Sequence, residues 1–331
     1  MKLKSQKQKN ERTLLIIDGN NMAHRCRHVF SLSHNGKDVS VTFGVLKVIG
    51  SLMDKFNPYS VIVCWDGGIP EFRRKTVPEY KATRRHGADD PLAYEDFLRQ
   101  MYGLSDYILP MMGMISVTKM GAEADDLMYH ASRLSMDNSV IVSNDHDMFQ
   151  AICGKTRVCN PSKNVVYDCA NFQEEFGIPV SSMIDWRALQ GDGSDNIPGI
   201  PGIGEKTATK LFKEFGTLTG ITNAAAGHNP KGKLTGKLAE NICSFGFDRL
   251  AKNIFIMALY ADRVGAKRAV IEAADNWTQA NKNRVMKYLM QMAFSSIINS
   301  SFIGNVMNLS APILDYSNIR TPVTIDRRYP V

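Results

Sequence analysis

Leu14-Leu15-Ile16-Ile17-Asp18 is an apolar run that ends on a carboxylate, and the chain uses that design twice more. Val61-Ile62-Val63-Cys64-Trp65 leads into Asp66, and Ser139-Val140-Ile141-Val142-Ser143 leads through Asn144 into Asp145. Continuous β-branched runs of this length, without polar alternation, are the pattern of strands buried on both faces. Helical periodicity lies between them, over Thr42–Phe56 after the first run and Glu123–Leu134 before the third. The alternation predicts an α/β fold with a mostly parallel central sheet flanked by helices. Chemistry in such sheets gathers at the carboxyl ends of the strands, and those ends carry Asp18, Asp66, Asp145 and Asp147.

A long insertion, about residues 67–121, separates the second and third runs. It holds the basic segment Arg73–Arg85, a Gly-Ala-Asp-Asp-Pro break and an amphipathic pattern over Leu92–Leu109. A connection of that length is rarely inert in a compact domain. From about Val180 the chain turns to helices joined by Gly/Pro loops. The expected regions are a flexible basic arm (1–12), an α/β domain containing the insertion (13–180), a helical region (181–303) and an irregular tail (304–331).

With 331 residues, 44% hydrophobic and 22% charged, the composition is that of a soluble globular protein. Lysine and arginine outnumber aspartate and glutamate 40 to 33, which gives a formal charge of +7. A basic balance favours polyanionic partners but is common in ordinary proteins. The six cysteines contain no C-x-x-C pair, so reduced thiols are expected rather than a zinc site. No apolar run approaches a membrane span, and the polar Met1–Arg12 arm lacks the apolar core of a signal peptide. The expectation is a cytoplasmic protein without membrane attachment.

The acidic residues in unusual settings are Asp18, Asp66, Glu123, Asp125, Asp126, Asp145, Asp147, Asp192 and Asp195. Asp145 and Asp147 share one side of a chain leaving a strand. Glu123-Ala124-Asp125-Asp126 opens a helix, where anions suit the dipole. A lone aspartate at a strand end usually caps or turns the chain, and Asp126 could equally support its helix start; the set is what carries weight. Such a crowd of carboxylates without cations would force some to stay protonated. Hard divalent cations, Mg²⁺ or Mn²⁺, resolve that conflict. Two of them about 3.5–4 Å apart would serve phosphodiester hydrolysis. No twelve-residue acidic loop of the EF-hand type is present.

Gly191-Asp192-Gly193-Ser194-Asp195-Asn196-Ile197-Pro198-Gly199-Ile200-Pro201-Gly202-Ile203-Gly204-Glu205-Lys206 is the most specific stretch in the chain. Gly199, Gly202 and Gly204 permit close backbone approach. A helix starting near Glu205 would present free N–H groups to a phosphate without reading bases. Lys206 and Lys210 add charge on the same side.

With this hairpin, the motifs stand in one order: Ile17-Asp18-Gly19-Asn20, Trp65-Asp66, Phe72-Arg73, Pro78-Glu79-Tyr80-Lys81 with Arg84, Gly121-Ala122-Glu123-Ala124-Asp125-Asp126, and Ser143-Asn144-Asp145-His146-Asp147. Over roughly residues 13–300 the chain resembles the flap endonuclease / 5′–3′ exonuclease family, which includes the 5′-nuclease domain of bacterial DNA polymerase I and bacteriophage flap endonucleases. The resemblance implies a PIN-like nuclease domain, a helical arch formed by the insertion, and a helix–three-turn–helix (helix-hairpin-helix) module. It implies two Mg²⁺ or Mn²⁺ ions, the first served by Asp18, Asp66, Glu123 and Asp125. The second would be served by Asp145, Asp147 and Asp195 with Asp192 nearby, while a K⁺ ion would sit at the hairpin loop. Lys81 and Arg84 match arch-base residues at the scissile phosphate, Tyr80 an aromatic that stacks on an unpaired base, and Arg187 a phosphate-facing base. DNA contact is further implied for Arg73, Gly199, Gly202, Gly204, Lys206, Lys210 and Lys237. The partners implied are flapped, branched or nicked DNA, with RNA–DNA hybrid and a separate DNA polymerase beside it, and the expected state is a monomer.

A non-catalytic junction binder of the same fold is the alternative, and intact acidic positions argue against it. A PIN-type ribonuclease leaves the Gly/Pro hairpin unexplained. Gly227–Lys233 nearly forms a phosphate-binding loop, but Leu234 stands where a Ser or Thr would hold Mg²⁺. His24 and His28 read as surface or packing residues, and Met286–Met292 as helix core.

Overall fold

The first apolar run becomes β1 (Thr13–Asp18), buried at every residue and central to a six-stranded sheet. The computed structural model describes residues 12–83, 90–229 and 232–317. After β1 come α1 (Gly19–Val29), the small hairpin β2 (Ser33–His34) and β3 (Lys37–Asp38), α2 (Ser40–Phe56) and β4 (Ser60–Trp65). The insertion supplies α3 (Glu71–Thr76), α4 (Pro91–Gly103), a π-helical turn over 104–108, α5 (Leu109–Met111) and β5 (Ile115–Thr118). Next are α6 (Ala124–Leu134), β6 (Asn138–Val142), β7 (Thr156–Asn160), β8 (Val165–Tyr167) and α7 (Cys169–Phe176). The helical region runs through α8 (Met183–Gln190), α9 (Glu205–Phe215), α10 (Leu218–Ala225), α11 (Gly236–Phe245) and α12 (Phe247–Met257). It closes with α13 (Ala266–Asp275), α14 (Lys282–Gln291), α15 (Ser295–Ile298) and α16 (Phe302–Met307).

The sheet order is β5-β4-β1-β6-β7-β8, parallel except for β8, which runs antiparallel to β7. Side-chain alternation in β1 divides the core in two. Leu14 and Ile16 pack with Leu127, Met128 and the helical region; Leu15 and Ile17 pack with Val45, Leu46 and Ile49 of α2. An aromatic stack joins sheet to helices: Phe172 and Phe176 lie 4.7 Å apart, Phe149 and Phe172 5.4 Å, Phe176 and Trp186 6.0 Å. Among the described residues no helix is long and apolar enough to cross a membrane.

Two expectations about boundaries change. Ile115–Thr118, inside the expected insertion, is the edge strand paired with β4, so the excursion from the sheet ends before it. Only one face of that strand is buried, which denies it the fully apolar run of β1. The tail expected to be irregular from 304 is helical through Met307, and beyond it Leu309 and Leu314 are buried. Leu314 bridges Ser135 at the end of α6 and packs into the core. The 1–11 arm and residues 318–331 lie outside the described residues.

That docking is measurable. Leu314→Ala should lower unfolding free energy by about 2 kcal/mol or more in urea denaturation, the usual scale for a buried leucine. An undocked tail would give no change.

Candidate active site

Each apolar strand delivers its terminal carboxylate to one cleft because parallel strands end on the same edge. Asp18 leaves β1 and caps α1, accepting from the Asn21 N–H at 2.9 Å. Gly19 lets that helix start against Trp65: a Cβ there would lie 2.7 Å from the indole ring. Asp66 follows β4; its N–H donates to Asn20 Oδ1 at 2.8 Å, and its Oδ1 accepts from the Ala124 N–H at 2.8 Å. That last bond ties the end of β4 to the start of α6. Glu123 caps α6, and Asp126 closes the capping box. Beyond β6, Asp145 accepts from the Asp147 N–H at 2.8 Å.

Asp18, Asp66, Glu123, Asp125 and Asp145 all line one cavity of about 540 Å³, with Lys81 among them. Burial pushes the Asp18 carboxyl up to about 7, and the charges of Asp66 and Asp145 add to it against the Asn21 bond. Asp125 is raised well above the carboxylate range, by burial first and then by Asp145 and Asp18, with Lys81 opposing. Asp147 is raised to about 7 by burial and Asp145 although Arg187 opposes it. Five carboxylates thus line the cavity together with the ammonium of Lys81. Among the described residues no three His, Cys, Asp or Glu side chains form a ready-made metal cage.

The remaining acids are held in place by basic and phenolic partners. Arg187 reaches Asp147 at 3.1 Å and Asp192 at 2.6 Å. Asp192 also accepts from the Ser194 N–H and hydroxyl; burial works against its charge, yet these bonds and Arg187 hold it below its usual value. Asp195 accepts from the Tyr80 hydroxyl at 3.2 Å and lies 3.6 Å from Lys81 Nζ. Lys81 also pairs with Glu123. Burial opposes its charge, but Glu123 and Asp195 outweigh that and raise its pKa.

Several sequence expectations need correcting. Arg73 does not face DNA: it is 2% exposed, with its guanidinium on Glu123 at 2.5 Å, on both Asp126 oxygens at 2.8 Å, and on the Ile256 carbonyl at 3.0 Å. Asp126 is accordingly no cavity-facing ligand, since Arg73 and the Glu123 N–H engage its oxygens. Tyr80 is 6% exposed and its hydroxyl bridges Glu123 at 3.0 Å to Asp195, so its ring offers no stacking face. Arg187 turns to two aspartates rather than outward. His24, expected in a surface or packing role, packs on Phe97 at 4.6 Å and lines the cavity with Tyr94, Phe97, Leu98 and Met101 of α4. The amphipathic pattern over 92–109 was the available signal for that wall. Arg84 lies outside the described residues.

The hairpin is held as tightly. A Cβ on Gly199 would lie 1.8 Å from the Gln190 carbonyl oxygen, and Gly202 sits at φ +83°. Asn253 of α12 donates to the carbonyls of Ala188 at 3.1 Å and Pro198 at 2.8 Å, a clamp the motif itself does not announce. Gly204 leads into α9 without a side-chain cap. Lys206, Lys210 and Lys237 are exposed, the last beside Glu240 at 3.6 Å.

Residues 13–177 match the family model described as 5′-3′ exonuclease, N-terminal resolvase-like domain, and residues 178–252 the one described as 5′-3′ exonuclease, C-terminal SAM fold. A 5′-3′ exonuclease of Streptomyces coelicolor is 34% identical over 212 residues, 61% of this chain and 70% of that protein. The chain belongs to the 5′–3′ exonuclease family. A thermostable DNA polymerase I of Thermus filiformis is 34% identical over 63% of this chain, which spans only 24% of that polymerase. A bacteriophage T5 flap endonuclease, solved in complex with DNA and metal ions, shares the fold with a TM-score of 0.62 at 23% identity. That likeness covers 86% of this chain and 100% of the phage protein. The resolvase-like and SAM-fold parts of a 5′–3′ exonuclease thus meet near residue 177, where the sheet gives way to helices.

Two outcomes check this site. Arg73→Ala strands two buried carboxylates and should cost roughly 3–5 kcal/mol in denaturant unfolding, with Arg73→Lys recovering only part because the paired fork is lost. Asp18 and Asp147, raised to about 7, hold protons that an unfolded chain sheds near pH 4. Their contribution to stability is complete below about pH 4 and disappears as pH climbs through about 7. In EDTA the melting temperature should fall between about pH 4 and about pH 7, and Asp18→Asn should flatten that slope.

Proposed function

We propose that this 5′–3′ exonuclease family member hydrolyses DNA phosphodiesters near single/double-strand junctions, as a flap endonuclease and 5′–3′ exonuclease dependent on divalent metal. The observation that carries the reading is the convergence of Asp18, Asp66, Glu123, Asp125 and Asp145 on one cavity, with the carboxyls of Asp18 and Asp125 raised. An all-oxygen, anionic donor set suits a hard cation, Mg²⁺ or Mn²⁺. The first ion falls to Asp18, Asp66, Glu123 and Asp125. The second falls to Asp145, Asp147 and Asp195, with Asp192 close by through Arg187. When bound, such ions supply charge stabilisation at the phosphoryl group and lower the pKa of water.

The chain's own residues do the positioning. Lys81 occupies the acidic cleft as a cation, and a phosphate entering there gives that ammonium a transition-state role. Arg84 is proposed beside it. The α9 amino terminus, with Lys206, Lys210 and Lys237, grips the duplex backbone away from the cleft. A K⁺ ion at the hairpin loop would strengthen that grip. Because these groups address phosphates, flapped, nicked and branched DNA are all suitable, and RNA–DNA hybrid is a second substrate. The match to DNA polymerase I relatives supports a polymerase as a partner, and a cytoplasmic monomer is the proposed working state.

The deciding experiment uses a labelled 5′-flap duplex. Cleavage near the junction is expected with Mg²⁺ and none with EDTA. Asp145→Asn should cut turnover by ~100-fold or more while flap affinity in Ca²⁺ changes little. Binding without cleavage under every metal condition would instead identify a non-catalytic junction protein.

A further inference from the structure

Arg187 reaches from the helical region to the acids that follow β6, and its base is firmly set. The preceding residue of α8, Trp186, is buried, and its indole N–H donates to the Thr209 hydroxyl at 3.1 Å. The Arg187 carbonyl accepts from the Gly191 N–H at 2.9 Å. Its Nε meets Asp147 Oδ1 at 3.1 Å and its Nη2 meets Asp192 Oδ2 at 2.6 Å, with 16% of the side chain exposed. Burial opposes the guanidinium charge, but Asp147 and Asp192 outweigh it and raise the pKa. The other Asp192 oxygen accepts from the Ser194 N–H at 2.8 Å and hydroxyl at 2.6 Å. Asp147 leads back to the cavity: its N–H donates to Asp145, which lines it. One guanidinium is therefore shared between an acid beside the cavity and an acid locked in the loop before the hairpin.

We propose that Arg187 is a positioning residue that keeps the second divalent ion weakly bound to the DNA-free protein, until a backbone phosphate draws its guanidinium away from Asp147. The inference rests on the nuclease reading and adds a control on when the second site fills. A guanidinium and a dication sharing one carboxylate repel each other, and solvent screens that repulsion poorly where the side chain is this enclosed. Asp192 sets the balance: as a second counter-ion it takes part of the guanidinium's attention and leaves Asp147 half-engaged. A phosphate competes well for a guanidinium, because its oxygens match the fork of N–H donors. Once Arg187 turns to it, the full Asp147 charge returns to the ion. By linkage, the ion then strengthens DNA binding by the factor that DNA strengthens ion binding. The effect on the reaction runs through Asp147, and the complete ion pair assembles on substrate rather than ahead of it.

The test counts Mn²⁺ bound to the full-length protein without DNA, by electron paramagnetic resonance, on variants whose thermal melts show them folded. Wild type should hold one ion firmly and a second more weakly. Arg187→Met, which keeps the apolar stem, and Arg187→Gln, which keeps a donor, should each tighten the second ion roughly tenfold. Arg187→Lys, still a cation, should stay near wild type. Asp192→Asn should weaken the second ion in the wild-type background, where Arg187 then falls wholly to Asp147, and change little beside Arg187→Gln. In Ca²⁺, the gain in 5′-flap affinity that the ion brings, read by anisotropy, should shrink in Arg187→Gln. Second-ion affinity unchanged or lowered in Arg187→Gln overturns the control and leaves the nuclease assignment intact, as does an equal loss from Asp192→Asn in both backgrounds. A wild type that binds neither ion nor flap defeats both.

Discussion

Mutual repulsion among buried carboxylates is the constraint on which this molecule is organised. A parallel sheet brings Asp18, Asp66 and Asp145 to one edge, and α6 adds Glu123 and Asp125 from its first turn. Bringing charges of one sign out of water together is unfavourable unless something neutralises them. The fold answers in part with its own cations. Arg73 holds Glu123 and Asp126, Lys81 holds Glu123 and Asp195, and Arg187 holds Asp147 and Asp192. The carboxyls of Asp18, Asp125 and Asp147 nonetheless stay raised, by burial first and by neighbouring carboxylates second.

The same contacts join the two halves of the chain. Glu123 belongs to the α/β part and Asp195 to the Gly/Pro hairpin stretch, yet Tyr80 and Lys81 touch both. The Lys81 N–H also donates to the Asp195 carbonyl at 3.1 Å, and Lys81 adopts a left-handed φ of +56° to do so. The acids of the cleft and the Gly/Pro hairpin are thereby held in one frame.

Much of this was legible in the sequence. The buried runs of β1, β4 and β6 and their terminal acids were readable because strands covered on both faces need continuous apolar residues. The family was readable from the order of its motifs. What stayed hidden had physical reasons. β5 is buried on one face only, and β8 is three residues long, so neither writes a long apolar run. Arg73 and Tyr80 have residue types common at nucleic-acid surfaces, and nothing local reveals that they turn inward toward Glu123. His24 and Tyr94 are seventy positions apart and come to one cavity because α4 packs on α1.

Asn253 carries a consequence for transplantation. Its single amide satisfies the carbonyls of Ala188 and Pro198 from a helix about fifty residues downstream. The Gly/Pro hairpin is thus not a portable cassette: moved alone onto a foreign scaffold, it would leave the Pro198 acceptor bare and part from the α8 end that Asn253 ties it to. Any graft meant to confer phosphate affinity has to bring α12 along, or build a surrogate amide in its place.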